Sequence, residues 1–390
     1  MEIPDVLLPD GLARAWTAEV PGPLEPAGPQ NTPVRGVIQH PVAVGVPVTA
    51  MLRAIWWSDG FHPNPVTGLP GKVRQRPVPS AGGCYPVQLR VLCGEGCDVP
   101  PGMYVFNSGG SGSSSGGQLL RVQGNDASSH DKLELRAPAR GAVVVLTVLP
   151  QRTMSKYHHR SGPLLIADTA YAAVALLHHA AALEVIAWWD VVAPQRWPGS
   201  TTEFALAKVA LGTAWTETDK TDVDPAGSRI VGVTKTQLAT RRSADMPGSR
   251  SRASAASGQA NMVLQRLLDY CLPTFHEPVP PSCRFRVLSK ELLQSPLLAE
   301  RCAGQHWVRN LHAMVIFETS ATPSPDAMWW SSALAAHILY TALGTETALD
   351  FRPVGGWTGS QGGWTTLHGL GVVLREPYDR YQERPANAGQ

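Results

Sequence analysis

The sequence predicts an α+β fold that is present twice in the chain. Each half repeats one order of patterns: an apolar strand, an alanine-rich helix, an aspartate and a second apolar strand. The first set comprises residues 142–149, 168–184, Asp190 and 205–212, and the second comprises 312–318, 326–344, Asp350 and 367–374. We expect Asp350 at the end of the long helix. Residues 281–288 also repeat the strand that ends at Leu92 but lack the glycine turn before it. Self-similarity of this kind indicates tandem duplication of one α+β unit.

Length and composition are those of a large globular protein. With 390 residues, of which 43% are hydrophobic, the chain exceeds one typical domain and can bury a large core. Its net charge of +2 provides no basic field of the kind that attracts nucleic acids or anionic membranes. We therefore expect neither nucleic acid nor membrane among its partners.

The sequence lacks the features of secreted and membrane proteins. Its first residues contain acid and proline where a signal peptide has a basic and then an apolar region. The longest apolar helix pattern, 170–189, is interrupted by two histidines and a glutamate, which favours a buried core helix over a membrane span. The six cysteines do not form a secreted framework, and Cys93 and Cys97 lack the second pair of a structural zinc site. We expect a cytoplasmic protein with reduced cysteines.

The duplication divides the chain into three parts. Residues 1–215 form copy one, residues 216–258 form a connector rich in Ser, Arg and Gly, and residues 259–390 form a degenerate copy two. The connector and the low-complexity run at 109–117 have compositions typical of disordered or mobile segments.

A turn of small residues at 79–83, Pro-Ser-Ala-Gly-Gly, directly precedes an apolar strand in copy one. Gly82 and Gly83 remove the Cβ atoms that would keep a flat or charged ligand from the backbone, and Ser80 offers a hydroxyl. The turn alone is equally typical of a surface hairpin.

Three short motifs occur in order in copy one: Pro-Ser-Ala-Gly-Gly-x-Tyr-Pro at 79–86, Pro-Pro-Gly-x-Tyr at 100–104, and the pair Lys156-Tyr157. In this order they resemble the nitroreductase superfamily and, within it, the SagB-like dehydrogenases that oxidise azolines in peptides. The resemblance covers residues 35–215 well and is faint beyond them. It implies a nitroreductase-like, FMN-dependent fold, duplicated in tandem as an intrachain pseudo-dimer.

The resemblance also implies a single composite FMN site, because the family binds its flavin in a two-fold interface. A flat apolar ring needs two walls and its phosphate needs a cationic pocket. Copy one would contribute Pro79, Ser80, Ala81, Gly82 and Gly83, and the rest of the chain would contribute Arg241, Arg242 and Ser243 to the phosphate, Gly355 and Gly356 to the ring edge, and Arg375 as a further phosphate partner. The arginine pair is also interpretable as a basic patch in a linker, and Arg375 as a solvated strand end.

The candidate catalytic residues, Lys156 and Tyr157, lie in a predicted loop at 151–162, between strand and helix, that copy two lacks. The resemblance implies that Lys156 is the base that removes a proton from the azoline while Tyr157 relays the proton or holds the ring. The alternative is a solvated loop pair. The adjacent histidines at 158–159 and 178–179 have no acid or thiol spaced with them, so we expect no metal site.

The resemblance therefore implies an FMN-dependent dehydrogenase that converts thiazolines or oxazolines to azoles in a ribosomally synthesised precursor peptide, with oxygen as electron acceptor. The family implies a precursor peptide and a cyclodehydratase complex as partners. The chain contains neither a GxGxxG nor a P-loop pattern between strand and helix. Two alternatives stay open: a general flavin oxidoreductase that uses NAD(P)H on a small acceptor, and a flavinless protein that docks a peptide. Further association of chains is left open.

Overall fold

Two antiparallel sheets enclose two long helices in the computed structural model. The structure describes residues 3–32, 36–63, 69–109, 116–122, 137–212, 230–241, 253–275 and 277–375. Its strands are β1 Gly36–Gln39, β2 Phe61–Pro63, β3 Pro70–Arg74, β4 Val87–Cys93, β5 Gly102–Asn107, β6 Gln118–Val122, β7 Ala142–Val148, β8 Ala187–Arg196, β9 Phe204–Leu211, β10 Cys283–Leu288, β11 Ala313–Thr319, β12 Leu349–Val354, β13 Ser360–Gln361 and β14 Trp364–Leu374. Its α-helices are α1 Pro9–Arg14, α2 Val48–Trp56, α3 Pro150–Tyr157, α4 Ser161–Ala182, α5 Lys235–Thr240, α6 Ala253–Cys271, α7 Lys290–Leu293, α8 Pro296–Arg301 and α9 Pro325–Gly344.

The first sheet has the strand order β1-β6-β5-β4-β7-β9-β8, and every neighbouring pair is antiparallel. Its central strands β4 and β7 are buried along their whole length. Their sequences are mostly apolar, with only Gln88 and Arg90 in β4 and Thr147 in β7 as polar residues, which is the pattern of strands covered on both faces. A separate hairpin of β2 and β3 lies outside both sheets.

The second sheet repeats the topology of the first. Its order β10-β11-β14-β12 matches β4-β7-β9-β8 strand for strand, with α9 inserted where the first half has α4. Among these four strands of each sheet, the one that comes last in the chain, β9 or β14, lies between the second and the third. This shared order supports the predicted duplication.

Helices α4 and α9 form the centre of the molecule. Each packs against its own sheet and against the other helix, and both are buried almost throughout because they are apolar on all sides. His178 of α4 and His337 of α9 are hydrogen-bonded across the helix pair at 3.0 Å. The stretch Pro150–Ala182 is long and apolar enough to cross a membrane, but 94% of its most apolar window is buried, as in a core helix.

Three local predictions are wrong. Lys156 and Tyr157 end helix α3 rather than lying in a loop. Asp350 lies in strand β12 and not at the end of the preceding helix, because the chain turns at Gly344 and Thr345 before the strand begins. The connector is not uniformly irregular, since α5 and the first residues of α6 fall inside 216–258.

The described part of the connector is attached to α4. His178 Nδ1 is hydrogen-bonded to the Val231 carbonyl at 2.8 Å, and the Val233 N–H donates to the His178 carbonyl at 2.8 Å. The remainder of the connector, including Arg242 and Ser243, and the low-complexity residues 110–115 lie outside the described residues. All six cysteines are free and buried.

Candidate active site

The glycine turn lies immediately before β4. Ala81–Gly83 forms one 3₁₀ turn in which Gly82 and Gly83 have φ values of +55° and +67°. A residue with a Cβ rarely adopts these angles, so the backbone itself requires glycine at both positions. Gly82 is exposed, which leaves its backbone accessible to a ligand.

Asp168 of α4 holds this turn in place. Its Oδ2 accepts a hydrogen bond from Ser80 Oγ at 2.5 Å, and its Oδ1 accepts one from the Ala81 N–H at 3.0 Å. Ser80 Oγ in turn accepts the Tyr85 N–H at 2.8 Å. Burial raises the pKa of the Asp168 carboxyl to about 7, although both hydrogen bonds lower it. Because the Ser80 proton is directed at Asp168, Ser80 can only accept a hydrogen bond from a ligand.

Lys156 and Tyr157 lie over the glycine turn. Lys156 Nζ donates to the Gly82 carbonyl at 3.3 Å and lies 5.5 Å from the centre of the Tyr157 ring. A Cβ atom built on Gly82 would lie 2.5 Å from Lys156 Nζ and closer still to Tyr157 Oη. Burial, with smaller effects of Cys84 and Asp168, raises the pKa of Tyr157, so its hydroxyl stays protonated. The structure therefore brings together the predicted catalytic pair and the predicted flavin turn.

Helix α3 is anchored to the exit of the turn. Arg152 Nε donates to the Cys84 carbonyl at 2.6 Å, and the Leu149 N–H donates to the Pro86 carbonyl at 2.9 Å. Arg152 and Lys156 are four residues apart and therefore lie on the same side of the helix. The anchor at Arg152 thus determines where Lys156 meets the glycines.

The predicted ring-edge glycines, Gly355 and Gly356, follow β12 and lie against the start of α4. A Cβ on Gly355 would lie 2.6 Å from Leu164 Cδ2, and Gly356 has a φ of +77°. Gln305 Nε2 fixes the segment by donating to the Gly355 carbonyl at 2.7 Å. A narrow cleft is lined here by Ala15, Trp16, Arg160, Pro163, Leu164, Met328, Gly355, Gly356, Trp357, Leu367 and His368.

One face of α4 connects the two halves of the candidate site. Leu164, Asp168 and Tyr171 are spaced by four and three residues, so they share a face. Leu164 lies against Gly355 of copy two, and Asp168 holds the copy-one turn. The Tyr171 hydroxyl is hydrogen-bonded to His368 Nε2 on β14 at 3.2 Å. Burial lowers the pKa of His368 to about 4, so its ring is neutral in this hydrogen bond.

Arg241 lies next to the glycine turn, whereas the rest of the predicted phosphate element lies outside the described residues. Its Nε donates to the Pro77 carbonyl, and its Nη1 is buried without a hydrogen-bond partner among the described residues. Burial lowers the pKa of the guanidinium, an effect that the hydroxyls of Tyr340, Tyr85 and Tyr171 oppose.

Arg375 is engaged elsewhere. Its Nη2 and Nε donate to Asp350 at 2.7 and 3.4 Å, and the hydrogen bond to Asp350 raises the pKa of the guanidinium. It forms an intrachain ion pair instead of the open cationic group that we expected for a phosphate partner.

Sequence reasoning missed Asp168 and Arg76. A signal for Asp168 was present, because it is the one acidic residue in the apolar stretch 161–183 and a lone buried acid needs a partner. Arg76 is buried above the Tyr85 ring at 4.8 Å, its Nη1 has no hydrogen-bond partner among the described residues, and burial lowers its pKa to about 9. A single arginine before a turn gives no such signal.

The fold has a counterpart among solved structures. A protein from Anabaena variabilis that is assigned as a nitroreductase superposes with a TM-score of 0.55 and 13% identity, over 87% of this chain and 94% of that one. The fold is nitroreductase-like. Coverage of this extent cannot be reached by residues 1–215 alone, so the likeness extends over both halves. The predicted α+β, nitroreductase-like fold is therefore confirmed.

Other comparisons are weaker. The E. coli microcin synthetase McbBCD complex with truncated pro-MccB17 bound matches with a TM-score of 0.30 and 16% identity, over 54% of this chain and 88% of that chain. A Ralstonia eutropha protein, also assigned as a nitroreductase, matches with a TM-score of 0.25 and 14% identity, over 49% and 100%. No protein-family model and no curated protein matches the sequence.

Proposed function

We propose that this chain is an FMN-dependent dehydrogenase that oxidises thiazoline or oxazoline rings to azoles in a ribosomally synthesised precursor peptide. The proposal rests on the convergence of Lys156 and Tyr157 on Gly82 in a nitroreductase-like fold. The order of the motifs that contain these residues, which resembles SagB-like dehydrogenases, supports the azoline substrate.

The residues present fit FMN. The positive-φ residues Gly83 and Gly356 provide backbone without a Cβ that a flat ring can approach, each from a different half of the chain. Arg241 and Arg76 each have a buried guanidinium nitrogen without a partner among the described residues, which is the donor set that a phosphate requires. Arg242 and Ser243 remain predicted members of the same pocket. When bound, FMN would accept a hydride from the azoline ring.

Aromatisation of an azoline also requires removal of a proton from the adjacent ring carbon. Lys156 Nζ is exposed at the turn, and in its neutral form it can take this proton. Tyr157 stays a phenol because burial raises its pKa, so it donates a hydrogen bond and cannot be the base. Asp168 supports the turn on which both residues converge.

The substrate must already contain an azoline, which a cyclodehydratase forms from cysteine, serine or threonine. A complex with such an enzyme is therefore part of the proposal, together with the precursor peptide. The intrachain pseudo-dimer supplies both walls of the flavin site in this scheme, so a second chain is not required for catalysis.

Incubation of the FMN-reconstituted protein with an azoline peptide tests the proposal, with loss of two hydrogen atoms per ring followed by mass spectrometry. We expect Lys156→Ala to lower the turnover number by about 10²- to 10⁴-fold while FMN stays bound. Lys235→Ala, at the exposed start of α5, is the matched control and should retain full activity.

Two other outcomes would refute the azoline assignment. Rapid reduction of the flavin by NAD(P)H with the peptide unchanged would instead identify a general flavin oxidoreductase. A protein that neither contains flavin after purification nor binds added FMN would be a peptide-docking protein without redox activity.

A further inference from the structure

An extended segment of the chain lies across the helix that contains Lys156. This segment, residues 17–32, is called the strap; it contains four prolines and neither a helix nor a strand. It follows α3 and the turn His158–Arg160 in the opposite chain direction, because later strap residues contact earlier residues of α3. The surface of α3 and this turn that the strap covers is called the track.

Arg14 binds the Glu19 carboxylate, and Gln88, Ser108 and Glu203 bind the end of the strap. Along the track the strap is held through its backbone. The contacts are Arg160 Nη2 to the Glu19 carbonyl at 2.8 Å, His158 Nε2 with the Pro23 carbonyl at 3.0 Å, the Glu25 N–H to the Ser155 carbonyl at 2.8 Å, and Arg152 Nη1 to the Gly28 carbonyl at 3.2 Å. The apolar strap side chains face solvent, with Val20 83% and Leu24 78% exposed. A surface that binds main-chain groups in this way accepts many sequences, as in other modes of extended-peptide recognition.

Strap and track are complementary in charge. The track segment 150–160 contains five basic or histidine residues and no acid, whereas the strap contains two glutamates and no basic residue. His158 Nδ1 lies 3.7 Å from Glu25 Oε1, and His159 Nδ1 lies 3.8 Å from Glu19 Oε1. The Glu25 carboxylate therefore faces the track alone, whereas the Glu19 carboxylate is shared between His159 and Arg14, which donates to it at 2.8 and 2.5 Å.

We propose that the track is a docking surface for an extended acidic segment of the peptide substrate, which binds there by displacing the strap. This inference rests on the proposed function for the identity of the peptide. The track leads to the proposed base, because the Ser155 carbonyl that pairs with Glu25 directly precedes Lys156. A peptide bound along the track would thus pass beside the glycine turn.

The strap competes with any free peptide because it is part of the same chain. A tethered segment has an effective concentration in the millimolar range, so a free peptide is expected to bind the wild-type protein weakly. Substitution of two strap glycines, Gly22 and Gly28, should displace the strap. A Cβ on Gly22 would lie 3.3 Å from the His158 ring, and one on Gly28 would lie 3.3 Å from Gln151 Cβ, so valine at both positions would push the strap away.

Fluorescence anisotropy with a labelled synthetic peptide of residues 17–30 tests the inference on the full chain. We expect the variant Gly22→Val/Gly28→Val to bind the probe at least about tenfold more tightly than wild type. Addition of His158→Glu and Arg160→Glu to that variant should abolish the gain, and a probe with both glutamates replaced by glutamine should bind more weakly. Glu300→Gln, an exposed residue of α8, is the control and should leave wild-type affinity unchanged.

Equal affinity of the probe for wild type and the strap variant, or binding that survives charge reversal of the track, would overturn the inference. If the valine variant does not fold, Glu19→Gln/Glu25→Gln replaces it, and the same comparisons apply. The assay needs neither flavin nor an azoline, so its result is independent of the proposed activity. Probe binding without azoline oxidation would refute the activity alone, and oxidation without probe binding would refute the docking surface alone.

Discussion

Gly82 is the residue at which the proposed site tolerates no side chain. Its positive φ strains any other residue, and a Cβ would meet Lys156 Nζ at 2.5 Å. We expect Gly82→Ala to destabilise the fold by about 1 kcal/mol and to displace Lys156 and Tyr157. The turnover number for azoline oxidation should then fall by at least about tenfold, since catalytic groups tolerate little misplacement.

Gly199 provides the matched control for this substitution. Its φ is +74°, and no atom lies within 4 Å of the position of an added Cβ. Gly199→Ala therefore reports backbone strain alone and should lower stability without lowering turnover. Equal losses of turnover in the two variants would show that crowding at Gly82 is not what positions Lys156.

Asp168 gives the protein a pH-dependent stability of defined sign. Its pKa is raised from 3.8 to about 7 in the folded chain, so between these values the folded state retains a proton that the unfolded state has released. The contribution of Asp168 to the free energy of unfolding therefore falls as pH rises from about 4 to 7 and is constant above that range. The whole effect is at most about 4 kcal/mol.

Asp168→Asn should flatten this pH dependence, measured as the free energy of unfolding in denaturant at several pH values. The control is Asp190→Asn, since that carboxylate is 51% exposed and paired with Lys208. In the control, the free energy of unfolding should change with pH as it does in the wild type. An unchanged slope in the Asp168 variant would mean that its carboxyl is not the group responsible.

At the scale of elements, sequence patterns predict the central strands and helices well. The expected helix at 326–344 is α9 within one residue, and the expected strand at 142–149 is β7 within one residue, because apolar burial alone determines both. The predicted start of α4, Asp168, lies seven residues after the observed start, Ser161. Gly162 and Pro163 weaken the helical pattern at the start of α4, although proline is well tolerated in a first helical turn.

Helix α3 could not be predicted from its own sequence. It is short and basic, and the bonds that fix it lead to Cys84 and Pro86, which are distant in sequence. The same reason explains why Asp168 was missed as a site residue, since its partners Ser80 and Ala81 precede it by almost ninety positions. Local sequence patterns identify candidate reactive residues such as Lys156, whereas only the fold shows which distant residues fix their positions.

Arg152 is the test of whether α3 positions the proposed base. Arg152→Met keeps most of the side-chain volume but leaves the Cys84 carbonyl without its donor, which should cost about 1–3 kcal/mol of stability. We expect the turnover number at saturating peptide to fall, because Lys156 loses its anchor. Arg53→Met on the exposed face of α2 is the control. A variant destabilised to this extent but fully active would show that Lys156 is positioned without the anchor.

For the whole molecule, the decisive arrangement is that two unlike halves meet on one face of α4. The Lys-Tyr pair and the glycine turn come from the first half, the positive-φ Gly356 comes from the second, and Arg241 comes from the connector. A symmetric pair of sites would require each element twice. A single composite site predicts one FMN per chain, measurable by absorbance after gel filtration.

Arg241 tests this composite site because its replacement should weaken flavin binding without lowering stability. Its guanidinium has a buried nitrogen without a partner among the described residues but also donates to the Pro77 carbonyl. Relief of the buried charge and loss of this hydrogen bond offset each other, so Arg241→Met should leave the flavin-free protein about as stable as wild type. FMN affinity should fall by about 10- to 100-fold, since a charge-assisted phosphate contact is lost. Arg266→Met on the exposed side of α6 should change neither quantity. Unchanged FMN affinity in the Arg241 variant would place the phosphate elsewhere, and lower stability without FMN would show that Arg241 is structural.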